Sequence, residues 1–135
     1  MTQDPMIERT NAGLIRQLHQ AIRAADTATL EALIADDVVW HVAGHSRLSG
    51  ELSGRVAVLG FLDSLRSLSG GSFTLEDDDL LASPERAVSL CRVSARREGK
   101  TLDADYCQVI RVREDHIAEG WSFAFDQSAF DFFWL

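Results

Sequence analysis

TLDADYCQVIRVREDHIAEGWSFAF, residues 101–125, alternates apolar and polar side chains on both sides of a short, mostly acidic break. A period of two is the mark of a half-buried strand, so the stretch reads as strands over 101–113 and 117–125 joined by a hairpin at Glu114-Asp115-His116. His116 is expected at the left-handed turn position, which histidine tolerates better than most residues. A three-residue loop would pair Arg113 with Ile117 and set Gln108 opposite Ser122. One face of the first strand then carries Ala104, Tyr106, Gln108 and Ile110, and the other carries Asp103, Asp105, Cys107, Val109 and Arg111.

The same period extends upstream through 72–82 and 86–97, with a turn at Glu98-Gly99-Lys100. Before Gly70-Gly71 the period is that of a helix. Ile7, Leu14, Ile15, Leu18, Ile22 and Ala25 recur every three or four residues behind a start at Asp4-Pro5. Asp26 reads as an N-cap for a shorter helix carrying Leu30, Leu33 and Ile34, which is expected to end near Ala35 where Asp36-Asp37 breaks it. A short strand, 38–42, leads into a polar loop from Gly44 to Gly54. Val58, Leu59, Phe61, Leu62, Leu65 and Leu68 then mark a third helix from Gly54 or Arg55 to about Leu68. A helix-rich half followed by a strand-rich half makes an α+β fold, with helices on one face of a mainly antiparallel, curved sheet. At 135 residues, with no internal repeat or linker, residues 1–135 form a single domain.

The net charge of −8, with 21 Asp and Glu against 13 Lys and Arg, would repel a phosphate backbone and argues against nucleic acid as a partner. No apolar run approaches the ~18 residues of a membrane span. The start, MTQDPMIERT, has no basic region followed by an apolar core, so a cytoplasmic location is expected. Cys91 and Cys107 show no metal-binding spacing and read as buried thiols, with a cross-strand disulfide or a reactive thiol as alternatives. The tail from Gln127 to Leu135, with Phe130, Phe132, Phe133 and Trp134, is too apolar to hang free and is expected to pack on its own subunit or a partner's.

The order helix, helix, strand, loop, helix and four long strands, together with ALIADDVVWHVAG (32–44), LSGRVAVLGFL (52–62) and QVIRVREDHIAEGWSFAFDQSAFDFF (108–133), resembles the SnoaL-like branch of the nuclear transport factor two-like superfamily. The resemblance covers most of the chain. It implies a cone-shaped α+β barrel, its curved sheet packed on three N-terminal helices around an apolar cavity, with chemistry done by a few polar side chains and no cofactor or metal. Such folds host isomerases, cyclases, dehydratases, epoxide hydrolases and non-catalytic binders, so function has to be argued from the site.

By that resemblance His41 stands where ketosteroid isomerases carry their general-base aspartate, and an imidazole titrates close to neutral pH. The other reading of His41 is a neutral ring hydrogen-bonded to the loop or to water. Gln108 stands where the isomerases keep a protonated aspartate. With Tyr106 it could donate to a developing oxyanion, or the two could only line the cavity and orient a ligand. His19 on the first helix could also point inward. Leu18, Trp40, Phe61, Ile110 and Ser122 complete the expected substrate-binding surface. Asp126 either caps the C-terminal helix or leans into the pocket mouth. His41 and His45, four apart in a strand and loop, do not make a metal pair.

The expected activity is a cofactor-free isomerisation, cyclisation or dehydration of a small apolar ring compound by proton transfer. The alternatives are a non-catalytic binder of a hydrophobic metabolite and a dimerisation module with a vestigial cavity. An aromatic row on the outer sheet face, Trp121, Phe123 and Phe125, points to a homodimer.

Overall fold

A computed structural model describes residues 5–135, with side chains from residue 10 onward. Asp4 of the expected helix start, and the side chain of Ile7, lie outside the described residues. Helix α1 covers Pro5–Ala24 and is followed by α2, Thr27–Leu33. Asp26 caps α2 by accepting a hydrogen bond from the Thr29 backbone. Strand β1, Ile34–Val42, and the short β2, Gly50–Ser53, precede α3, Arg55–Leu68. Strands β3 (Thr74–Ala82), β4 (Arg86–Arg97), β5 (Lys100–Arg113) and β6 (His116–Ala124) then lead to α4, Gln127–Phe133.

The six strands form one sheet in the order β2-β1-β6-β5-β4-β3, with β1 and β6 parallel and every other pair antiparallel. It is not closed: β2 and β3 are its edges, and the curve between them makes the cone. Helices α1, α2 and α3 cover the inner face around Ile15, Leu18, Leu33, Val38, Ile110 and Ile117. A second cluster at the other end joins Leu75, Val93, Tyr106, Phe130 and Trp134. The tail therefore packs on its own chain, with Phe130 stacked on Tyr106.

Three local expectations are corrected. Asp36-Asp37 does not separate helix from strand. Helix α2 ends at Leu33 and β1 begins at once, with both aspartates exposed within it; a register shift between Ile34 and Val39 absorbs them. The polar loop also contains β2, which pairs with Val39–Val42. In the β5–β6 hairpin the left-handed residues are Glu114 (φ 50°) and Asp115 (φ 63°), not His116. A two-residue turn of this kind matches the twist of its strands. His116 instead opens β6 opposite Arg113, and its ring donates from Nδ1 to the Glu114 carbonyl. A bulge between Arg111 and Val112 makes up the count, so Gln108 still faces Ser122 as expected.

Both cysteines are free and buried. Burial pushes the Cys91 thiol up to about 12. Among the described residues no helix is long and apolar enough to cross a membrane.

Candidate functional site

The inner face of α1 is built from Ile15, Leu18, His19 and Ile22, spaced three and four apart. His19 therefore projects into the core with the apolar stripe and is fully buried. Burying an imidazole costs free energy unless its nitrogens are paired, and both are. Nδ1 lies 2.5 Å from Asp77 Oδ1 on β3, and Nε2 lies 2.5 Å from Gln108 Oε1 on β5. The Gln108 amide donates to Ser122 Oγ on β6 (3.1 Å), and the Trp40 indole N–H from β1 donates to the same oxygen (2.7 Å). The Tyr106 phenol is buried beside this network, and burial raises its pKa. Four strands and one helix thus send polar groups into a single network inside an otherwise apolar cone.

Asp77 has a second partner, the buried Ser89 hydroxyl of β4, at 2.6 Å. Burial works against its charge, but the hydrogen bonds from His19 and Ser89 outweigh it and hold the carboxyl below the usual aspartate range. An ionised Asp77 accepts from Nδ1–H, which fixes the ring and turns Nε2 toward the Gln108 amide oxygen. A β-bulge between Asp77 and Asp79 sets this geometry. It keeps Leu75 and Asp77 turned inward and lets Leu80 and Ala82 return to the core face after two exposed aspartates.

Close backbone approach makes room for Trp40. The indole lies over Gly120, where an added Cβ would stand 2.4 Å from two of its ring carbons. Any larger residue at position 120 would lift Trp40 away from Ser122.

Of the expected site residues, the fold brings Gln108, Tyr106, Ser122, Trp40, His19, Leu18, Phe61 and Ile110 to the inside of the cone. His41 is not among them, and the expected juxtaposition with Gln108 is corrected. The inward set on β1 is Val38, Trp40 and Val42, so the intervening His41 emerges on the outer face. There it is partly exposed, bonded through Nε2 to Glu119 (2.8 Å) and stacked on Trp121 with centroids 5.4 Å apart. The His41 ring, together with Arg111, holds the Glu119 carboxyl below its ordinary value. Asp126 is exposed and caps α4, accepting from the Ala129 backbone. Asp77 and Ser89 went unread in the sequence. The signal for Asp77 is its two-residue spacing from Leu75, and for Ser89 its place in the inward series Ala87, Ser89, Cys91, Val93.

The cavity is tight. A space of about 20 Å³ lies between Gln108, Tyr106, Phe130 and Leu75, and another of about 20 Å³ between Gln108, Trp40, Leu18 and Val58. A third, about 60 Å³, opens at the mouth beside Thr27, Asp63 and Arg66. Among the described residues no group of three or more His, Cys, Asp or Glu side chains is arranged to hold a metal ion.

Residues 15–120 match the family model of the SnoaL-like domain. The structure superposes on Bal32a, from a soil-derived mobile gene cassette, with a TM-score of 0.93 at 29% identity, covering 96% of this chain and 99% of that one. A Xanthomonas campestris protein of unknown function with a cystatin-like fold is 30% identical, with a TM-score of 0.85 and coverage of 90% and 95%. An NTF2-like protein from Burkholderia xenovorans shares the fold at 20% identity, TM-score 0.81, over 95% and 98% of the two chains. A family match over most of the chain and this shared architecture carry one conclusion: the chain belongs to the SnoaL-like domain family, within the NTF2-like fold.

Proposed function

We propose that this SnoaL-like domain takes a small, largely apolar ring compound into its cone and transfers protons on it, with His19 as the acid–base group and Asp77 as its orienting partner. The observation that carries this reading is a fully buried histidine held between a carboxylate and an amide at the apolar centre of a cone. An imidazole fixed by a carboxylate at Nδ1 presents Nε2 for proton exchange. A ligand α-carbon would take the place of Gln108 Oε1 at Nε2, so that the free ring nitrogen accepts the α-proton and returns it to the product, with the ligand's carbonyl oxygen turned toward the Gln108 amide. The released Gln108 amide, with Ser122 and Tyr106, would then donate to the charge that develops on that oxygen. The reaction class is enolisation, and with it isomerisation, cyclisation or dehydration of a cyclic ketone or phenol.

A second reading, a binder without turnover, rests on the engagement of both His19 nitrogens within the protein. Thermal shift with a panel of cyclic ketones and phenols, followed by deuterium exchange α to the carbonyl in D2O, separates the two. A ketone that raises Tm and exchanges faster than in buffer supports the catalytic reading. Ligands that raise Tm without exchange leave the binder, and a panel with no effect on Tm contradicts both.

The outer sheet face supports a homodimer. Trp121 and Phe123 lie there with Phe125, and the two phenylalanines are 40% and 66% exposed, an aromatic row suited to burial against a second copy.

A further inference from the structure

The three spaces of the cone share walls. Ile22 of α1 and Leu62 of α3 border all three, the mouth and both inner chambers, and Phe61 borders the two inner ones. The same three side chains also pack against both halves of the hydrophobic core while themselves only partly buried. Gln108 lies on the far side, facing both inner chambers.

Partly buried apolar side chains have alternative staggered rotamers open to them, whereas the sheet behind Gln108 is fixed by its ladder. Chambers of about 20 Å³ hold a water molecule and no ring. A ring compound can reach Nε2 of His19 only if the wall between the chambers is displaced.

We propose that Ile22, Phe61 and Leu62 form a movable apolar partition that divides one ligand channel, running from Asp63 and Arg66 at the mouth to Gln108, and that their bulk sets the largest ring admitted. The inference rests on the pocket reading above and adds the determinant of substrate size. With the partition intact, the ligand is monocyclic, because displacing three side chains joins chambers that are small to begin with. Trimming the partition shifts the preference to fused rings.

Trp40 lines the innermost chamber, so its indole N–H reports arrival of a ligand there. We would record the indole signals of 15N-labelled protein, assign Trp40 by Trp40→Phe, and titrate phenol, 2-naphthol and 9-phenanthrol. Wild type is expected to bind phenol best. Leu62→Ala is expected to gain about tenfold in affinity for 2-naphthol with little change for phenol. Ile22→Val, a change of one methylene, should move the ranking the same way by a smaller factor and stands in if Leu62→Ala does not fold. Val56→Ala, at a position 84% exposed on α3, should change nothing. If phenol still shifts the Trp40 signal while these partition variants keep the wild-type size ranking, the partition is overturned and the pocket reading stands. If none of the probes shifts Trp40 in any variant, the pocket reading itself is overturned, and the partition with it.

Discussion

His19 and His41 show how one position along a chain decides what a side chain can do. His19 shares the face of Ile15 and Ile22 and is fully buried, bonded to Asp77 and Gln108. His41 is flanked by two inward residues and lies outside with Glu119. The Asp77 contact carries a pH signature. A carboxyl whose folded pKa lies below its unfolded one adds stability above the ordinary value of 3.8 and loses it as pH falls through the folded value. The stability advantage of wild type over Asp77→Asn, measured by urea unfolding, should therefore be fully present above the ordinary carboxyl value of 3.8 and shrink as pH falls below it. A difference constant across that window would mean that Asp77 is not held ionised by His19 and Ser89. Gln108 and Ser122 were legible in the sequence, because alternation on β5 and β6 fixes their face and the bulge at Arg111 preserves their register. Asp77 was not: alternation from Leu75 turns it inward, but it lies in a run of four acidic residues, Glu76 to Asp79, whose alternation is broken by the bulge that follows it.

At the scale of elements, the period change after Gly71 placed all four long strands and the two hairpins joining the last three, because each strand has one core face and one wet face. Boundaries moved where that rule is suspended. Asp36 and Asp37 sit exposed within β1, and β2 is an edge strand of four residues whose burial pattern carries no alternation. The β1–β6 pair depends on one glycine. A methyl group at position 120 meets the Trp40 indole, and overpacking of this kind typically costs about 1–3 kcal/mol. Gly120→Ala should lower stability by that amount in denaturant unfolding and move the Trp40 indole resonance as its bond to Ser122 breaks. An unchanged Trp40 resonance would show that the ring has room to spare and that the close approach does not position it.

For the whole molecule, the sheet divides two tasks. Its inner face holds the network at the centre of an apolar cone, and its outer face presents Trp121, Phe123 and Phe125. Trp121→Asp should convert a dimer to monomers in light scattering, with circular dichroism confirming that the fold survives; a dimer that persists would remove the outer face as the interface. The α+β architecture was legible because it follows from repeated local patterns. The centre of the site was only partly so, because it joins residues up to 89 positions apart whose meeting depends on bulges and helix phase. On the function proposed above, proton transfer belongs to His19 inside the cone and not to His41 outside it. The most direct test compares the α-proton exchange rate of a bound cyclic ketone in His19→Gln and His41→Gln. A fall of about 10²-fold or more is expected for His19→Gln, and the wild-type rate for His41→Gln. Exchange that survives His19→Gln and is lost in His41→Gln would contradict it.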